Sequence, residues 1–330
     1  MSEGPSVGGV ATDARVHTLA VDEAARQTQQ MQQSPRRRGR RVRLAPYLFL
    51  TPYFLVTAVF FLWPLLYATR LAFQQTSGTD SQVWVGLRNF QFVLSDPDFF
   101  TALKNTVFFA LCSVLIQLPL SLGLAMLLNS RQGRAKGIFR LIIFSPNLVG
   151  QVFVGILFIM LFTPQYGLFN RGVQSLLGWG LQMRWLQNPD LVMPAVVIAA
   201  LWIYVGFNMI YFLAALQNVD QSLVEAARID GAGPWQQFLT VTVPAIMPVI
   251  TFVVVMSTIG SFQLFELPYV MLQGYGPNNS GMTIVGYLYS FAFDSGDLGT
   301  AAAVGWLLTC IILLISLVQI VLTRRVGSAT

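Results

Sequence analysis

Long apolar stretches alternate with short polar ones along most of the chain. A helix needs ~20 mostly apolar residues to cross the hydrocarbon of a bilayer. Six runs reach that length, at roughly 47–69, 105–129, 139–162, 191–216, 244–271 and 299–322. The pattern predicts an all-α integral membrane protein with six transmembrane helices, occupying residues 45–325. Residues 1–35 carry no apolar period and are rich in Gly, Ser, Thr, Gln and Ala, so residues 1–44 are expected to be a disordered basic tail.

The polar segment at 217–243 divides the fourth apolar run from the fifth. Its chemistry reads as helix, tight turn, helix. Ser222 and Glu225 have capping-box spacing, and Asp220 is a competing N-cap. Gly231 suits the left-handed residue that ends a helix, and Pro234 suits the first turn of the next. Ala226 and Ala227 leave part of the first helix nearly bare of side chains. An ordinary hairpin joining two spans would have much the same local features.

Charge orients the six runs. Arg36, Arg37, Arg38, Arg40, Arg41 and Arg43 stand directly before the first one. They suit anionic-lipid binding, a twin-arginine export signal, or a positive-inside anchor. The anchor is expected, because the apolar run is too long for a signal peptide and no small-residue cleavage site follows. With the N-terminus inside, only Arg70, Arg88, Lys104, Arg171 and Arg184 of the 20 Lys and Arg lie outside. That bias puts both termini, and the 217–243 segment, in the cytoplasm.

Composition agrees: 55% hydrophobic, 10% charged, mean hydropathy +0.61. The net charge of +6 therefore reads as topology rather than nucleic-acid binding. Cys112 and Cys310 fall in apolar runs and offer neither a disulfide framework nor metal spacing, and His17 lies in the tail. Neither lysine completes a phosphate-cradling loop, so ATP chemistry would have to come from a partner. No metal or cofactor site is expected on this chain.

Polar residues within apolar runs are the candidates for a substrate path, since burying them in hydrocarbon is costly without partners or water. They are Gln117, Asn147, Gln151, Asn208, Thr258, Ser261, Gln263 and Glu266. Thr258 and Ser261 are expected to share a helix face, with Glu266 near it. For any one of them, hydrogen bonding between helices is the alternative role. Pro146, Pro194, Pro248 and Pro268 mark expected kinks or helix ends. Outside the membrane, residues 70–104 should include a short surface helix. Tyr166, Phe169, Trp179 and Trp185 in the 163–190 segment read as interfacial aromatics. Ala301, Ala302, Ala303 and Gly305 allow close helix approach.

The run Glu225-Ala226-Ala227-x-x-Asp230-Gly231-Ala232, followed by Phe238, Val241, Pro244 and Pro248, resembles the "EAA" loop of ATP-binding cassette (ABC) importer permeases. Two outer stretches also resemble the carbohydrate-uptake branch, of maltose and lactose type. One is Gly86-Leu87-x-Asn89-Phe90, Asp96-Pro97-x-Phe99 and Ala102-Leu103-x-Asn105-Thr106. The other is Gly274-Tyr275-Gly276-Pro277-Asn278-Asn279, where Tyr275 replaces a glycine.

The resemblance covers about 45–325 and implies a transport subunit, not an enzyme, in a prokaryotic cytoplasmic membrane. It implies a second homologous permease, two ATP-binding subunits that hold ATP and Mg, and an extracytoplasmic solute-binding protein. Glu225, Ala226, Ala227, Asp230, Gly231 and Ala232 would form the coupling helix that docks on the ATPase. The sugar pocket would lie on the spans either side of that loop, near Trp202, Tyr204, Thr258, Ser261 and Phe262, with Asn208, Gln263 and Glu266 as further candidates. A permease for glycerol phosphate is the alternative, though no span interior offers an arginine. A secondary carrier or membrane scaffold is the other, though no clear internal repeat is visible.

Overall fold

The computed structural model describes residues 45–77, 81–130, 135–177 and 183–327. The expectations for the N-terminal tail, its arginine cluster and Trp179 lie outside them. The chain divides into two units, Met1–Trp63 and Pro64–Thr330. The described part of the first is helical and leaves its large apolar side chains exposed, Phe49 and Phe60 among them.

Five described helices are long and apolar enough to cross a membrane. They are α1 (Leu48–Ala72), α3 (Pro97–Asn129), α7 (Pro189–Gln217), α9 (Pro234–Phe262) and α12, whose apolar part is Leu298–Thr323. A sixth crossing requires two arms to be counted together, α4 (Ala135–Phe144) and α5 (Gln151–Leu161). They bend by 98° at the intervening break, so the run at 139–162 is not one straight helix. Pro146 begins a tight 3₁₀ turn there, and Val149 and Gly150 are extended. Pro194 and Pro248, by contrast, lie inside uninterrupted helices.

The fifth expected span is also shorter than its apolar run. Helix α9 stops at Phe262, and a second helix, α10 (Glu266–Leu272), starts after three non-helical residues. Thr283 Oγ1 donates to the Leu264 carbonyl within that break, at 2.6 Å. Glu266 therefore does not share a helix face with Thr258 and Ser261.

Three buried apolar clusters hold the second unit together. One joins α5, α7 and α10 through Phe158, Ile203 and Leu267. Another joins the mid-part of α3 to α7 and α9 through Leu118, Met209 and Ile246. The third packs α3 against α11 (Ile284–Tyr289) and α12 through Phe99, Tyr287 and Val304. Ala301 and Ala303 are buried, as their size suggests. Trp185 is buried too: it packs on Phe162 and Phe169, and its Nε1 donates to Asn170 Oδ1 at 2.7 Å.

The segment 70–104 holds the expected short helix, α2 (Arg88–Ser95), and an unexpected hairpin of β1 (Gln74–Ser77) and β2 (Ser81–Trp84). The strands are antiparallel, with Gln74 opposite Trp84. The face they bury is polar, Gln74 and Thr76, so no apolar alternation announces it. Asp297, just before α12, staples the hairpin down. Its Oδ1 accepts from Thr76 Oγ1 and from the Gly299 and Thr300 amides, and its Oδ2 accepts from Thr300 Oγ1 at 2.6 Å. Asp297→Ala is expected to destabilise this corner by about 1–3 kcal/mol, because buried donors lose their acceptor. Faster proteolysis within residues 74–84 is the readout. Asp96 makes a second tie, capping α3 with one oxygen and accepting from the Tyr287 hydroxyl with the other, at 2.6 Å. Burial, and then that bond to the carboxylate, pushes the Tyr287 hydroxyl well above the usual phenol range.

Candidate functional site

Two features stand out, a cavity among the spans and an exposed helical elbow between two of them. Helices α7 and α9 belong to both.

The cavity encloses about 370 Å³. Helix α3 contributes Phe109, Ser113 and Gln117, and the start of α5 contributes Gln151. Helix α7 contributes Tyr204, Phe207, Asn208 and Tyr211. Helix α9 supplies Phe252, Ser257 and Ser261, with Gln263 and Leu264 from the break after it. Residues Ser113–Gln117 form a π-helical turn within α3, and wide turns of this kind often accompany functional sites. Ser113 Oγ lies 2.8 Å from Ser257 Oγ, so the two hydroxyls link α3 to α9. Ser261 Oγ donates to its own helix, at the Ser257 carbonyl. Phe252 and Phe207 each pack a ring on Tyr211, giving α7 and α9 a continuous aromatic surface.

The cavity brings together Tyr204, Asn208, Ser261 and Gln263 of the residues that sequence reasoning put on the path, along with Gln117 and Gln151. Five others lie elsewhere, Asn147 among them, in the tight turn between α4 and α5. Thr258 points toward α12, donating to the Val254 carbonyl and accepting from Gln319 Nε2 at 2.8 Å. Phe262 is buried in the cluster around Tyr287. The Trp202 ring lies against Phe158. Glu266 opens α10 on the far side of the break. Ser113 and Ser257 were missed, because a lone serine in an apolar helix ordinarily satisfies itself on its own backbone.

The elbow is made by α8 (Gln221–Ile229) and the turn into α9. Asp220 wins the capping contest: its side chain accepts from the Ser222 amide at 2.9 Å, and α8 begins at Gln221. Ser222 thus lies inside the helix, so the capping box with Glu225 does not form. Bonds from the Ser222 backbone and then its side chain hold the Asp220 carboxyl below the usual range.

At the other end Gly231 has φ +84°, a left-handed value that favours glycine. Its amide bonds to the Arg228 carbonyl and the Ala232 amide to the Ala227 carbonyl, the paired closure of a Schellman motif. Pro234 opens the next helix, as expected, and Gln237 Nε2 donates to the Ala232 carbonyl at 2.6 Å, bracing the turn. Glu225, Ala226, Asp230 and Gly231 are exposed, while Ala227 and Ala232 are half-buried. The elbow also bares apolar groups, with Ile229 85% and Trp235 69% exposed. Exposed apolar side chains beside a rigid turn suit a protein groove.

Helix α7 runs into the elbow and carries Tyr204, Phe207, Asn208 and Tyr211, and α9 leaves it and carries Phe252, Ser257 and Ser261. A push on the elbow therefore acts on two cavity walls through continuous helices.

Residues 117–328 match the family model of the binding-protein-dependent transport system inner membrane component. The arabinooligosaccharides transport system permease protein AraP of Bacillus subtilis (strain 168) is 37% identical over 84% of this chain and 88% of its own. The lactose transport system permease protein LacF of Rhizobium radiobacter is 35% identical over 84% and 94%. The sn-glycerol-3-phosphate transport system permease protein UgpA of Agrobacterium fabrum (strain C58 / ATCC 33970) is 33% identical over 84% and 94%. A chain of a bacterial ABC transporter involved in the import of alginate superposes with a TM-score of 0.74 at 25% identity, over 85% of this chain and 95% of that one.

Proposed function

Because the chain belongs to the family of binding-protein-dependent transport system inner membrane components, we propose that it forms half of the translocation path of an ABC sugar importer. It is a multi-pass inner-membrane permease subunit and not an enzyme. The observation that carries the reading is the sharing of α7 and α9 between the cavity and the elbow.

In this reading the chain crosses the membrane six times, the bent α4–α5 pair making the third crossing. Both termini and the elbow face the cytoplasm, which the inward excess of arginine supports. Residues 45–325 are the permease domain, and residues 1–44 anchor it through their basic cluster. A solute-binding protein delivers carbohydrate from outside, and a second homologous permease completes the path.

The two ATP-binding subunits hold ATP and Mg and supply the hydrolysis. Their closure moves the elbow, with Gly231 as its bend and Glu225 and Asp230 as polar contacts flanked by Ala226, Ala227 and Ala232. Helices α7 and α9 then tilt together and expose the cavity to the outer side. Ligand binding shifts such an equilibrium only by its preference for one state.

The test is reconstitution of the chain in proteoliposomes with these four kinds of partner. Uptake of a labelled arabinose or galactose disaccharide should require both ATP and the binding protein. Uptake that persists without the ATPase would replace this reading with a secondary carrier.

A further inference from the structure

Resting on the importer reading, we infer that the cavity selects an uncharged, hydroxyl-rich saccharide, and that Gln117 and Asn208 impose this selection. Relatives of similar identity are named for arabinooligosaccharides and for glycerol phosphate, so kinship leaves the charge of the cargo open. The wall that this chain supplies favours a neutral cargo. Among the described residues, no Asp, Glu, Lys or Arg lines it.

Gln117 is 3% exposed and Asn208 7%, both border the cavity, and among the described residues neither side chain has a hydrogen-bond partner. The π turn of α3 places Gln117 and Ser113 together on this wall, and Asn208 stands on α7. Buried amides of this kind are costly until a ligand or water satisfies them.

A carboxamide needs a partner of both kinds, an acceptor for its NH₂ and a donor for its oxygen. A sugar hydroxyl is both at once. The charged group of a phosphate or a uronate at neutral pH only accepts, so where it meets either amide it answers the NH₂ and leaves that carbonyl oxygen facing negative charge. No cation on the wall would offset burial of that charge. The hydroxyls of Ser113 and Ser257 can reorient to give or accept, and the rings of Phe207, Tyr211 and Phe252 offer a flat apolar surface to the C–H face of a pyranose.

The experiment measures binding to the permease–ATPase complex in nanodiscs without the binding protein, which would otherwise impose its own selectivity. The probes are lactose, an arabinose disaccharide, a galacturonate disaccharide and glycerol 3-phosphate. The neutral disaccharides should bind and the two anions should not. Gln117→Leu and Asn208→Leu should each weaken neutral binding about tenfold or more, with the thermal midpoint of the complex retained. If either variant fails to assemble, the comparison of neutral and anionic probes on the unaltered complex still decides. Equal binding of an anion, or unchanged binding in both leucine variants, overturns the selectivity and leaves the importer reading intact. Silence from all four probes overturns the selectivity together with the carbohydrate reading.

Discussion

Gly206→Ala should disrupt the contact between α7 and the end of α4. A Cβ built on Gly206 would lie 1.9 Å from the Ile143 carbonyl oxygen, 2.6 Å from its carbon and 3.0 Å from Phe144 Cα. All three are backbone atoms, so no rotamer change relieves the clash. Helix α7 must draw away from the end of α4, or the tight turn at Ser145–Leu148 must shift. Overpacking of this kind typically costs about 1–3 kcal/mol and sometimes more. The damage would not stay local, because Tyr204, Phe207 and Asn208 flank Gly206 and line the cavity. The expected result is a lower thermal midpoint in detergent and a loss of uptake larger than the loss of protein from the membrane. Wild-type stability and uptake in Gly206→Ala would show that this close approach is dispensable.

That glycine also marks a limit of reading from sequence. Apolar run length picked out the five helices long enough to cross a membrane and the bent α4–α5 pair, because hydrocarbon thickness dictates that length whatever the partner helices. The break between α4 and α5 is not set by hydropathy. Residues 139–162 are apolar almost throughout, and the 98° bend depends on Pro146, an extended Val149 and Gly150, and the absence of a side chain on Gly206 of another helix. Likewise, Phe262 and Glu266 sit in one apolar run, but the helix ends between them where Thr283 reaches across to the Leu264 carbonyl.

The cavity was legible to the extent that its polar groups stand out against an apolar background. Gln117, Asn208 and Gln263 are long amides that hydrocarbon does not tolerate unpaired, so their positions point to a wet space or a partner. Periodicity could not say which. Thr258 and Ser261 are one helical turn apart, yet Thr258 turns to Gln319 on α12 while Ser257 and Ser261 turn to the cavity. Only the placement of α12 separates those outcomes. The elbow was the most legible element, since its glycine, proline and alanines act through local backbone geometry. Even there, Asp220 displaced Ser222 as the cap, two neighbouring side chains competing for the same free amides.

Gly231→Asp should abolish coupling while leaving the permease folded and inserted. Two observations separate those effects. A Cβ at Gly231 has nothing within 4 Å, so the isolated chain accommodates a side chain there. The residue needs φ +84°, and aspartate is among the non-glycine residues that tolerate the left-handed region best. Strain alone is therefore expected to cost no more than about 1–2 kcal/mol, and the Schellman closure through Arg228 and Ala227 should survive. What changes is the exposed outer surface of the bend, which gains a negative charge between Asp230 and the bare apolar groups Ile229 and Trp235. A groove shaped for a glycine would meet both volume and a charge to desolvate. The expected outcome is normal protein in the membrane, sugar uptake reduced at least tenfold, and weakened co-purification of the ATPase. Gly231→Asn, which keeps the left-handed tolerance without the charge, should fall between this variant and wild type. Full uptake in Gly231→Asp would remove the bend from the contact surface, and the motor would have to grip the chain somewhere other than this elbow.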